Sequence, residues 1–214
     1  KNKLFVLTIM FLIILLVAVG CGESKPSINV YNWGDYIDTD VLDMFEEEYG
    51  IRVVYDTFAT NEDLYVKLKQ GGSSYDVIFP SDYMISRMVA EHLVQKLDFR
   101  NIPNFRYVDR EYRSLAYDQK NEYSVPYTWG VVGIFYNKKH VKEPVNSWSI
   151  LWNEKYAGKI LMFDNPRDAF GIAQKLLGYS FNSTEPGEWD AAAALLEQQK
   201  PLVQAYVMDQ IFDK

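Results

Sequence analysis

Between residues 28 and 90 the spacing of hydrophobic positions switches back and forth between two periods. Ile28-Asn29-Val30-Tyr31-Asn32 alternates as a half-buried strand does. From Thr39 to Tyr49 the apolar residues Val41, Leu42, Phe45 and Tyr49 return to one face of a helix. Glu46, Glu47 and Glu48 point largely away from that face, and Gly50 stands where a left-handed C-cap belongs. Arg52–Asp56, rich in Val and Tyr, is the next predicted strand. Asn61 is the predicted cap of a second helix, with Glu62 and Asp63 in its first turn, Leu64 and Leu68 facing inward, and Gly71-Gly72 as its stop. Asp76–Phe79 is a short strand ending at Pro80. Ser81 is the predicted cap of a third helix with a stripe of Met84, Ile85, Met88 and Val89. Three strand–helix pairs, with strands too far apart for hairpins, predict an α/β fold with a parallel sheet.

Past this the pattern loosens. Residues 98–121 are polar and loop-like, around Pro103. Glu122–Tyr127 and Val131–Asn137 are predicted strands flanking Thr128-Trp129-Gly130, and Trp148–Trp152 a short helix. Lys159–Phe163 is a predicted buried strand. The helix Pro166–Leu177 follows, with Asn165 as its cap, Gly178 as its stop, and Phe170, Ala173 and Leu177 on one face. Trp189, Ala192, Leu195 and Leu196 mark a further helix, and Leu202–Val207 a last strand.

The start of the chain carries a different signal. Lys1-Asn2-Lys3 precedes an uncharged, mostly apolar run from Leu4 to Val19, whose 16 residues fall short of the roughly 20 that a spanning helix needs. A basic start, an apolar stretch and small residues before a cut site describe a secretory signal at residues 1–20. The sole cysteine, Cys21, follows directly in Ala18-Val19-Gly20-Cys21. This resembles the lipobox of bacterial lipoproteins, with Ala18 where Leu is commonest, and implies lipidation of Cys21. Residues 21–27 then form the lipidated cysteine and a polar tether, and the mature chain is expected to be extracytoplasmic and membrane-anchored. Without residues 1–20 there are 20 basic residues against 29 acidic ones, a net charge of −9. That balance argues against nucleic acid as a partner and is compatible with a cationic ligand.

Candidate chemistry concentrates in Tyr31-Asn32-Trp33-Gly34-Asp35-Tyr36-Ile37, where the first strand gives way to the first helix. In open α/β sheets ligands bind beyond the carboxyl ends of strands. Two aromatic rings with a carboxylate between them suit an organic cation, although Trp33 and Tyr36 also suit plain core packing. There is no phosphate-binding glycine loop and no Gly-x-Ser-x-Gly elbow, and the two histidines, His92 and His140, stand apart from other metal ligands. No catalytic residue, metal or cofactor is indicated. A carboxylate pair for glycoside hydrolysis stays open, because its defining separation is spatial.

Four segments occurring in one order resemble a family: Ile28–Gly50, Tyr75-Asp76-Val77-Ile78-Phe79-Pro80-Ser81, Val125-Pro126-Tyr127-Thr128-Trp129-Gly130 and Leu151-Trp152-Asn153-Glu154-Lys155-Tyr156. They are similar to the spermidine/putrescine-binding proteins of bacterial polyamine ABC importers, over nearly all of residues 28–207. The resemblance implies a type II periplasmic-binding-protein fold, two α/β lobes closing on ligand in a cleft. Lobe 1 would be residues 28–129, and residues 130–214 would be a second lobe left incomplete at Lys214. It also implies a non-enzymatic receptor that captures polyamine and delivers it to a membrane permease driven by a cytoplasmic ATPase.

By matching motif, the family's ligand contacts fall on Trp33, Asp35, Tyr36, Ser81, Tyr83, Asn165 and Asp168. Gly34 replaces a small hydroxyl residue, and Asn165 replaces the first of two acids three residues apart. Asn165, Pro166 and Asp168 equally fit a helix start with a capping box. The family's later site residues would lie beyond Lys214, so this chain by itself is expected to bind polyamine weakly. The alternatives are a receptor for another small organic cation or amino-acid derivative, and a secreted carboxylate-dependent hydrolase.

Overall fold

The computed structural model describes residues 25–71 and 74–208. The predicted signal segment 1–20, Cys21, Gly72 and the chain end from Asp209 lie outside these. The strands are β1 (Ser27–Trp33), β2 (Arg52–Phe58), β3 (Val77–Ile78), β4 (Ile160–Phe163) and β5 (Val203–Val207). The α-helices are α1 (Asp40–Tyr49), α2 (Asn61–Gln70), α3 (Asp82–Ala90), α4 (Pro166–Leu177) and α5 (Pro186–Gln199). Each strand and helix lies within a few residues of its predicted position. Two compact units divide the chain, one running to Thr57 and taking in Gly71–Phe79, the other comprising Phe58–Gln70 and Pro80 onward.

The first unit is built on a three-stranded sheet in the order β2-β1-β3, with β1 and β3 parallel in the register Val30↔Val77 and Tyr31↔Ile78. Its central strand becomes progressively buried toward its carboxyl end, so that Val30, Tyr31, Asn32 and Trp33 are all enclosed. Tyr31 stacks on Tyr75 with ring centroids 4.4 Å apart. Gly50 caps α1 in the left-handed conformation, φ 66°, and its N–H donates to the Glu46 carbonyl. The apolar stripe of α1 is formed but not enclosed: none of its residues is buried, and Val41 and Tyr49 are exposed.

In the second unit β4 and β5 pair in parallel, and α4 and α5 pack beside them. Met162, Ala169 and Ile172 form a buried cluster flanked by Trp148, Trp152, Phe163 and Leu196. The Trp152 indole N–H donates to the Leu195 carbonyl at 2.8 Å, tying the 3-10 turn Trp148–Trp152 to α5. Leu64 and Tyr65 of α2 and Met84 and Met88 of α3 are buried as a second core. The strands predicted at 122–127 and 131–137 do not form: both stretches are irregular, and Val131 and Phe135 are fully exposed. A strand needs a neighbour to take its backbone hydrogen bonds, and among the described residues no other strand pairs with either stretch.

Candidate functional site

Trp33 closes β1 and is held from both sides. Its indole is only 7% exposed, and its carbonyl accepts from the Tyr55 hydroxyl at 3.3 Å. The Asn32 carboxamide oxygen accepts the Trp33 N–H at 2.8 Å, and the chain turns at Gly34-Asp35 as it leaves the sheet. Tyr36, 47% exposed, stacks on Trp33 with centroids 5.6 Å apart and planes 29° from parallel. Asp35 between them is exposed. The two readings of this pair divide by residue: Trp33 packs as core, and Tyr36 extends its aromatic surface toward solvent.

The second unit holds the other predicted residues, and two of them, Ser81 and Tyr83, meet at Asn61, the predicted cap. Asn61 is completely buried. The helix start is instead capped by Thr60, whose hydroxyl accepts the Asp63 N–H at 3.1 Å and donates to the Asp63 carboxylate at 2.7 Å. That frees the Asn61 carboxamide. Its oxygen accepts the Ser81 N–H at 2.9 Å, and its amide donates to Ser81 Oγ and to the Tyr83 hydroxyl, each at 3.0 Å. Ser81 and Tyr83 are therefore brought together, through Asn61. Ser81 sits at the N-cap position of α3, but its side chain makes no capping bond. The clue lay in Thr60-x-x-Asp63, a better capping pattern than Asn61 offers alone.

Tyr83 donates to Glu62 Oε1 at 3.2 Å, while Glu62 Oε2 is buried without a hydrogen-bond partner. Burial first, and the Glu62 charge second, raise the Tyr83 hydroxyl well above its ordinary range, so it stays a neutral donor. Asp168 belongs to the same neighbourhood. Its carboxyl is pushed up mainly by burial; the Arg167 guanidinium pulls it down and Glu62 adds to the rise. In the sequence Glu62 carries only the signal of a first-turn helix acid, and nothing local marks Arg167.

Asn165 does what its capping pattern predicts. Its side-chain oxygen accepts from the Arg167 N–H at 2.9 Å and the Asp168 N–H at 3.4 Å, in front of Pro166 at the first helical position. Arg167 folds back so that its guanidinium lies 5.5 Å from the centroid of the Tyr83 ring. It is anchored there by donating to the Phe181 carbonyl at 2.6 Å and to Asn182 Oδ1 at 2.7 Å. Tyr83, Glu62, Arg167 and Asp168 thus form a half-buried patch with two carboxylates, one cation and one aromatic ring. Such a patch can take up a further ammonium group. Among the described residues no group of three or more His, Cys, Asp or Glu is placed to hold a metal ion.

This α/β arrangement is that of the periplasmic binding proteins. A putative spermidine/putrescine ABC transporter protein of Listeria monocytogenes superposes with a TM-score of 0.84 at 40% identity, over 87% of this chain and 58% of that one. A lipoprotein of Treponema pallidum superposes at 0.80 with 38% identity, over 86% and 59%. Residues 40–210 match the family model of the bacterial extracellular solute-binding proteins, and the chain belongs to that family. The spermidine/putrescine-binding periplasmic protein of Salmonella typhimurium is 38% identical over 199 residues, 90% of this chain and 57% of the relative. The chain thus spans little more than half the length of the curated relatives it matches. Among the described residues no helix is long and apolar enough to cross a membrane.

Proposed function

We propose that the protein is the substrate-binding subunit of an ABC importer and that its ligands are polyamines, putrescine or spermidine. The observation that carries this reading is the charge balance around Tyr83. Two carboxylates, Glu62 and Asp168, share one partly buried neighbourhood with a single cation, Arg167, and one Glu62 oxygen there is unpartnered. Burying a carboxylate without a counter-charge is costly, and an ammonium group from a ligand removes that cost. Tyr83 offers an aromatic face to the methylene chain. In the second unit ligand contact is assigned to Ser81, Tyr83, Asn165 and Asp168, the last supplying charge, and in the first unit to Asp35 and Tyr36, with Trp33 as the core residue on which Tyr36 stacks.

In this reading the protein acts without chemistry of its own, in lobes at 28–129 and 130–214, and hands its cargo to a membrane permease powered by a cytoplasmic ATPase. Lipidation at Cys21 keeps it near that permease. A second reading, a receptor for another small organic cation or an amino-acid derivative, is favoured by Asn165, whose side-chain oxygen is engaged in capping.

The test is a thermal-shift and tryptophan-fluorescence titration of the protein, expressed through its gene's own stop codon, with putrescine and spermidine. A saturable, stoichiometric change without product formation is expected. No response to either amine, with a response to another small cation, would replace polyamine by that ligand. Turnover of either amine would replace the receptor by an enzyme.

A further inference from the structure

Arg167 occupies an unfavourable place for a cation. It is the second residue of α4, where the helix N-terminus carries partial positive charge and acidic residues are the stabilising choice. Yet its guanidinium is held by two hydrogen bonds, to the Phe181 carbonyl and to Asn182 Oδ1, and it covers a face of the Tyr83 ring beside Asp168. The segment that holds it is itself positioned by a gap in α4: Gly171 lets the Phe181 ring lie against the helix, and a Cβ at residue 171 would stand 2.8 Å from that ring.

From this arrangement, and resting on the polyamine reading, we propose that Arg167 is a resident cation that sets how many ammonium charges the Tyr83–Asp168 patch accepts. It offsets one of the two carboxylates and takes up one aromatic face. The patch then has unbalanced charge for a single ammonium group, and a diamine is preferred over a triamine. Gly171 and Phe181 are positioning residues for the guanidinium.

The test is to measure putrescine and spermidine affinities by calorimetry for the wild type, R167Q, R167K and G171A, each expressed through the gene's own stop codon. Removing one nearby charge in a partly screened site is expected to move the spermidine-to-putrescine affinity ratio about five- to tenfold toward spermidine in R167Q. R167K keeps the charge, and its ratio is expected to stay near the wild type. G171A displaces Phe181 and is expected to fall between the two. Wild-type binding with a ratio unmoved in R167Q overturns the inference and leaves the polyamine reading standing. An equal shift in R167K and R167Q also overturns it, because the hydrogen-bonded hold and not the charge would then be responsible. If the wild type binds neither amine, the polyamine reading falls and takes this inference with it.

Discussion

Trp33–Tyr36 and Tyr83–Asp168 are both aromatic–carboxylate regions, yet they are held in place by different forces. Trp33 is fixed by enclosure at the end of the central strand of its sheet, and the carboxylate beside it, Asp35, is exposed. Tyr83 is fixed by hydrogen bonds radiating from one buried carboxamide, and its neighbouring carboxylates are drawn into partial burial. The first region is a platform whose shape follows from the core. The second is a charge arrangement, unfavourable in isolation, that becomes favourable when a cation joins it. The difference teaches where binding energy and where fold stability should respond to mutation.

The largest effect is expected at the platform. Trp33→Ala removes an enclosed indole and should lower unfolding free energy by about 3–5 kcal/mol, read from urea denaturation. A loss below about 1 kcal/mol would show that Trp33 is a binding surface and not core. At the network's centre, Asn61→Ala leaves the Ser81 N–H and the Tyr83 hydroxyl each short of a partner and should cost about 2–4 kcal/mol by the same measurement.

Asp168→Asn separates the two roles. Its carboxyl is raised from 3.8 in the fold, chiefly by burial, so the folded protein holds the proton more tightly than the unfolded chain does. Wild-type stability should therefore fall as pH climbs from 3.8 through the raised value. The asparagine variant escapes that loss: it should melt higher than wild type at pH 7, with the gap closing on acidification. The same variant should bind polyamine about 10- to 100-fold more weakly. The smallest effect belongs to Asn165→Ala, which removes the α4 cap and should cost about 1 kcal/mol. Little further change in polyamine affinity would place Asn165 with the scaffold.

Legibility in the sequence followed the range of the forces involved. The helix Pro166–Leu177 could be bounded to the residue, because its cap, its N-terminal proline and its stopping Gly178 are all local signals. Val203–Val207 could be found because β4 lies beside it to take its hydrogen bonds. Val131–Asn137 has an equally good strand composition and forms no strand, since pairing is a non-local condition that composition does not carry. The site shows the same division. Tyr83 and Asp168 are reachable by resemblance, but Asn61 has the sequence signal of a cap while Thr60 does the capping. Glu62 and Arg167 carry no site signal of their own, because their meaning depends on folding chain 21 and 84 residues away onto Tyr83.

The measurement that bears most directly on the Tyr83–Asp168 patch is calorimetric titration of putrescine and spermidine into wild type and Asp168→Asn. The protein would be expressed through its gene's own stop codon. One-site, saturable binding by the wild type, weakened at least tenfold in the variant, is the predicted result. Equal affinities in the two proteins, or no binding of either amine to the wild type, would contradict the assignment of this patch as the cation site.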